Sequence, residues 1–197
     1  MVDKKKTILK EIMSWISPIA GAFILVLLIN TKVFAMVQVH QSSMENTLHE
    51  GQKMVIDKIS YNFSTPKRGD IIVFLKSHLK ENFLDEINIY LKDLLRADDS
   101  YERLVKRVIG IPGDKIDIKD GYIYVNDEKL KEVYVKGNTS KREFTLPAVV
   151  PEGKLFVLGD NRQVSEDSRT FGFVDLKKVE GKAKLRVWPL NNISILK

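Results

Sequence analysis

The sequence predicts a mainly β domain of antiparallel sheets, carrying one short inserted helix, behind a single N-terminal transmembrane helix. Three observations point there: an uncharged apolar run from Ile12 to Thr31, a series of short strand-like segments divided by turn residues, and one stretch whose apolar spacing is helical.

The apolar run comes first. Its 20 positions include Trp15, Ile16, Phe23, Ile24, Leu25, Val26, Leu27, Leu28 and Ile29. About 20 residues at ~1.5 Å rise cross a hydrocarbon core of about 30 Å. Pro18 and Gly21 would weaken a soluble helix, but membrane helices tolerate them. The run is too long for a cleaved secretory signal, whose apolar region covers roughly 7–15 residues before a small-residue cleavage site. Here Ala35 stands among Phe34, Met36 and Val37. Lys4, Lys5, Lys6 and Lys10 precede the run, and only Lys32 follows closely. The positive-inside rule then assigns 1–11 to a cytoplasmic basic N-terminus, 12–31 to the membrane anchor and 32–197 to an extracytoplasmic domain.

Within that domain, Met36–His40 alternates weakly and leads into a polar turn. Lys53–Ile59 and Asp70–Leu75 read as strands separated by Ser64-Thr65-Pro66-Lys67-Arg68-Gly69. Leu104–Ile109 is a further strand, stopped by Gly110, Pro112 and Gly113. Lys115–Lys119 and Tyr122–Val125 flank Asp120-Gly121, a strong two-residue hairpin signal. Leu155–Leu158 and Lys182–Trp188 complete the strands. Between them, Leu79, Phe83, Ile87, Leu91 and Leu94 recur at near-helical spacing, with charges on the other faces. The stretch 78–96 therefore reads as an amphipathic helix, with Ser77 as its N-cap, packed as an insertion over a sheet edge.

Composition narrows the chemistry. The 197 residues contain no cysteine, which excludes thiolate metal sites, disulfides and cysteine nucleophiles. The three histidines, at 40, 49 and 78, are not at metal-ligand spacing. The net charge of +6 suits an anionic membrane surface and nucleic acid equally, and no nucleic-acid-binding motif breaks the tie, so charge alone decides little.

Four segments carry the functional signal. Gln41-Ser42-Ser43-Met44-Glu45-Asn46-Thr47-Leu48 follows the anchor. Arg68-Gly69-Asp70-Ile71-Ile72-Val73-Phe74 comes next, then Tyr101 through Asp114 with Lys106 at its centre. Gly159-Asp160-Asn161-Arg162-Gln163-Val164-Ser165-Glu166-Asp167-Ser168-Arg169 is the last and longest. Each alone is weak: an isolated Ser-Met is common, and a lone lysine in a strand is usually an edge lysine in water. In this order behind an anchor, the segments resemble the type I signal peptidases, from the anchor to about Pro189.

The resemblance implies a membrane-bound serine endopeptidase that removes signal peptides from exported proteins. It implies Ser43 as nucleophile, Lys106 as general base and no metal or cofactor. Ser165 matches the position whose hydroxyl orients the lysine. Asp167, Arg169 and Arg107 match an ion-pair framework, and Gly159, Asp160, Asn161 and Arg162 match a supporting loop. Implied partners are preproteins with small residues, typically Ala, one and three positions before the cut, and the lipid bilayer. Val39, Met44 and Leu104 are expected to line the apolar pockets that select them. Nothing in the sequence bears on oligomeric state. Two departures stand out: Asn46 where the family often has Pro, and Gln41 where some members have an oxyanion-donating Ser and others Gly.

Physical chemistry sets a condition on such a pair. A serine hydroxyl needs a neighbouring base, and free lysine, with pKa about 10.4, is protonated at pH 7. Burial lowers that value. On a strand, Leu104, Lys106 and Val108 share a face, so two apolar neighbours can keep the amine out of water. Histidine is the other candidate base, His40 and His49 being close in sequence, though no Asp–His arrangement accompanies them. Two further readings stay open here. One is a self-cleaving repressor-type Ser–Lys protease, against which stand the anchor and the lack of a helix-turn-helix. The other is a non-catalytic anchored binding domain descended from a protease.

Overall fold

The structure is a computed structural model that describes residues 2–76, 83–95 and 102–196. Helix α1 (Val2–Lys32) runs without interruption from the basic N-terminus through the apolar run, Pro18 included. Its segment Met13–Lys32 has a mean hydropathy of 1.9, and the most apolar window of it is not buried against the rest of the molecule. This is a helix long and apolar enough to cross a membrane.

Past α1 the chain is built of short strands. β1 (Phe34–Gln38) and β2 (Lys53–Asp57) pair antiparallel. One helical turn, α2 (Ser60–Phe63), precedes β3 (Ile71–Leu75). Then come the inserted helix α3 (Phe83–Leu95) and β4 (Arg103–Gly110). The 78–82 and 96 ends of the expected helix, and its Ser77 cap, lie outside the described residues.

β5 (Lys115–Lys119) and β6 (Tyr122–Val125) form the expected hairpin. Asp120 and Gly121 both have positive φ, 50° and 82°, as the tight turn of a right-twisted hairpin requires. β7 (Glu128–Lys129) and β8 (Ala148–Val149) extend that sheet. β9 (Lys154–Leu158), the one-turn α4 (Ser168–Phe171), β10 (Val174–Asp175), β11 (Val179–Trp188) and β12 (Ser194–Ile195) follow.

The larger sheet runs β1-β2-β11-β3-β4-β9-β10, with β12 paired to β11; the smaller runs β7-β6-β5-β8. Pairing is antiparallel throughout these strands, as expected for a chain of hairpins and short connections.

Strand alternation sorts the core. Ile71 and Val73 of β3 join Val39, Met44, Leu48, Met54 and Ile56 on one face. Ile72 and Phe74 turn to the other, with Leu104, Val108, Leu155 and Val157. A third cluster joins the sheets, packing Ile116, Ile118, Ile123 and Val125 against Ile109, Phe156 and Leu158. The central strands β3 and β4 are therefore covered on both faces. A polar side chain on them is buried unless the fold provides an opening.

Candidate active site

Lys106 is such a side chain. It lies mid-β4, opposite Ile72 of β3, and is 0% exposed. Leu104 and Val108, on its own strand face, are buried in the same apolar cluster as Ile72. Removal from water lowers the amine's pKa from the usual 10.5 to about 8, although Asp167, Glu166, Glu102 and Asp160 pull it back up.

Ser43 reaches this amine from the opposite side of the gap. Gln41 is extended, at φ −127° and ψ 150°, and the chain then tightens into a 3-10 turn over Ser42–Met44. That turn sets Ser43 Oγ 2.7 Å from Lys106 Nζ. The turn is held from outside: Asn161 N–H donates to the Ser43 carbonyl at 3.0 Å, and Asn161 Nδ2 to the Ser42 carbonyl at 3.2 Å. His40 and His49 are exposed.

The last sequence segment wraps behind the pair. Ser165 is fully buried, and its hydroxyl has no hydrogen-bond partner among the described residues. The Ser165–Lys106 hydrogen bond implied by the resemblance is thus not made among the described residues, where Lys106 donates to Ser43. A side chain at Gly159 would collide with Ser165 Oγ and would sit 2.5 Å from the Ser43 carbonyl oxygen, so both serines depend on a glycine there.

The expected ion-pair framework consists of two separate buried pairs. Arg169 grips Asp167 through two bonds of 2.8 Å. Arg107 grips Asp160 through Nε at 2.9 Å and Nη2 at 2.8 Å, with its guanidinium 3.8 Å from the centre of the Tyr134 ring. Such two-pronged pairs satisfy most of the polar atoms that burial would otherwise leave bare. Sequence reasoning placed Asp160 in a supporting loop and did not pair it with Arg107, since 53 positions separate them. It also missed Arg142, which donates to the carbonyls of Ser165 at 2.7 Å and Gln163 at 2.8 Å and so ties down the loop. A single arginine in a loop carries no sequence signal of such a role.

The expected pocket residues are buried. Val39, Met44 and Leu104 are at most 3% exposed, and they divide between two apolar clusters on opposite faces of the sheet. Folded this way they are core. The cause is coverage of both sheet faces, so closeness in sequence to Ser43 or Lys106 does not bring a side chain to the surface. Gln41, by contrast, is exposed, and its side chain caps nothing.

Comparison with known proteins gives a consistent result. The family described as signal peptidase, peptidase S26, matches residues 12–188. Signal peptidase IB of Staphylococcus aureus (strain COL) is 33% identical over 198 residues, covering 92% of each chain. A probable signal peptidase I-2 of Synechocystis sp. is 36% identical over 175 residues, covering 89% of this chain and 72% of that one. Among solved structures, a signal peptidase I from Enterococcus faecalis V583 shares 34% identity, covering 60% of this chain and 97% of that one, with a TM-score of 0.42. On the family match and the identities to the two sequence relatives, the chain belongs to the signal peptidase family, peptidase S26.

Proposed function

We propose that this peptidase cleaves signal peptides from preproteins with Ser43 as nucleophile and Lys106 as general base. One observation carries the assignment: the 2.7 Å contact between Ser43 Oγ and a lysine amine buried among apolar side chains. When the amine is neutral, the hydroxyl donates along this contact to the nitrogen lone pair. The serine oxygen attacks the scissile carbonyl as its proton passes to Lys106. The tetrahedral intermediate collapses to an acyl-enzyme, and Lys106 returns the proton to the leaving amine. Water then takes the place of the departed peptide and attacks the ester carbonyl as Lys106 takes its proton; the acyl–Oγ bond breaks, Lys106 returns the proton to Ser43 Oγ, and the acid leaves.

The remaining residues act through these two. Asn161 fixes the Ser43 turn, and Gly159 leaves room for Ser43 and Ser165. The Arg169–Asp167 and Arg107–Asp160 pairs stiffen the wall behind them. In this reading the buried Ser165 hydroxyl, which has no partner among the described residues, supports the lysine amine during turnover.

The apolar helix fits a membrane anchor. In this reading residues 1–11 are cytoplasmic, 12–31 span the bilayer, and 32–197 form the catalytic domain on the outer side, following the lysines at the N-terminus. Ser43 lies 12 residues past Thr31. A tether of that length reaches at most about 40 Å, so the site stays close to where a translocated signal peptide leaves the bilayer. The test is incubation of the detergent-solubilised full chain with a preprotein, the cut being located by mass spectrometry. A single cut after a small residue at the end of an apolar segment supports the reading, and an intact preprotein refutes it.

A further inference from the structure

The turn that carries Ser43 is gripped at two points by one short segment of the chain. Asn161 N–H donates to the Ser43 carbonyl at 3.0 Å. The adjoining Asp160 carboxylate accepts from the Thr47 hydroxyl at 2.5 Å, at the far end of the turn. The same hydroxyl accepts from Arg107 Nη2 at 3.2 Å, so Thr47 touches both members of the buried Arg107–Asp160 pair. Arg107 follows Lys106 on β4, and the two side chains leave the strand on opposite faces. Through Thr47, therefore, the turn of the nucleophile is tied to the strand of the base. The Thr47 carbonyl is held as well, accepting from Arg186 Nη1 of β11 at 3.2 Å.

The backbone bends to make this reach. Asn46 has φ 84°, a left-handed conformation that asparagine takes more readily than most residues with a side chain. The Thr47 and Leu48 N–H groups then both donate to the Met44 carbonyl, at 3.0 and 2.8 Å, and close the turn. Proline, with φ held at about −65°, cannot follow this path. The hydroxyl itself is not needed to keep the buried charges paired. Asp160 still accepts from Arg107 Nε at 2.9 Å and Nη2 at 2.8 Å without it. Its loss frees the turn and leaves the wall behind it standing.

We propose that Thr47 is a positioning residue whose hydroxyl locks the Ser43 turn to the strand carrying Lys106, with the left-handed Asn46 aiming it at Asp160. The proposal rests on the assignment of Ser43 and Lys106 as nucleophile and base. A turn released from Asp160 lets the serine oxygen drift from its line between amine and scissile carbonyl, and a misplacement of about 1 Å can cost about a hundredfold in rate. Contacts that hold the substrate elsewhere are untouched, so the loss falls on kcat.

The detergent-solubilised full chain is assayed for kcat and KM on a peptide substrate, with circular dichroism as the check on folding. Thr47→Val, which keeps the shape and removes the hydroxyl, should lower kcat at least about tenfold with KM within about threefold of wild type. Thr47→Ser returns the hydroxyl and should bring kcat back to within about threefold of wild type. Asn46→Gly permits a positive φ and should stay near wild type, whereas Asn46→Pro should lose about as much kcat as Thr47→Val. The two Asn46 variants test the same tie with the Thr47 hydroxyl still in the chain, so they decide the matter even where Thr47→Val fails to fold. Wild-type kcat in Thr47→Val or Asn46→Pro, a Thr47→Ser no better than Thr47→Val, or equal losses in both Asn46 variants overturns the proposal. Cleavage that survives in Ser43→Ala or Lys106→Ala would instead overturn the assignment on which it rests.

Discussion

Lys106 Nζ and Ser43 Oγ are 2.7 Å apart in a site where the lysine is 0% and the serine 7% exposed. If this contact is the proton-transfer path, each partner is indispensable. Ser43→Ala and Lys106→Ala should each abolish cleavage while circular dichroism stays near wild type. His40→Ala and His49→Ala should be mild. A Lys106→Ala variant keeping more than about a tenth of kcat/KM would have lost less than ~1.4 kcal/mol of transition-state stabilisation, too little for a general base.

The buried lysine also bears on stability. Its pKa is lowered to about 8 in the folded chain from 10.5. Below pH 8 the folded protein holds a cation out of water, at a cost of roughly 3 kcal/mol. Between pH 8 and 10.5 the unfolded chain binds a proton that the folded chain does not, so stability from this group rises with pH. Lys106→Met should therefore stabilise the inactive enzyme most at pH 7, with a gain that shrinks by pH 10. Urea unfolding of the full chain in detergent at both values measures this; a gain independent of pH would mean the lysine is not desolvated.

Ser165 gives a signature with two signs. Its buried hydroxyl, without a partner among the described residues, costs about 1–3 kcal/mol, so Ser165→Ala should leave the fold as stable or more so. Activity should nonetheless fall at least tenfold if the hydroxyl supports the lysine during turnover, whereas a purely structural serine would leave kcat/KM unchanged. Gly159→Ala should lose both, since its methyl meets Ser165 Oγ and the Ser43 carbonyl; overpacking of this kind costs about 1–3 kcal/mol.

Much of the molecule was legible locally. Asp120-Gly121 announced its hairpin because two positive φ angles in succession suit few other residues. The longer strands were visible through their turns and apolar runs, and the anchor through its lack of charge. The strands β7, β8, β10 and β12 were not, because two residues carry no periodicity and are fixed by the neighbour they pair with. At the site, Leu104 and Val108 were legible as the lysine's apolar flanks. The Arg107–Asp160 pair was not, since the β4–β9 register brings the two together and no local pattern records that register. The burial of Val39, Met44 and Leu104 was not legible for a related reason: which side of a fully covered sheet a residue faces depends on the second layer.

Gln41 is exposed and caps nothing, in keeping with a minor role. A tetrahedral intermediate needs donors aimed at its oxyanion, and loss of one typically costs about 10²–10³ in kcat. A flexible glutamine loses rotamer entropy on being held there. Gln41→Gly should therefore cut kcat less than tenfold at saturating peptide. A hundredfold loss that Gln41→Ser restores would make the side chain a catalytic donor.

The identity of the base is tested most directly by the pH dependence of kcat/KM on a peptide substrate. In the free enzyme the ascending limb reports the group that must be neutral for attack. With Lys106 as base the limb has its midpoint near pH 8, where burial places the amine. A midpoint near 6.5 would indicate a histidine, and one near 10.4 a lysine still in contact with water; either result contradicts a buried Ser43–Lys106 pair.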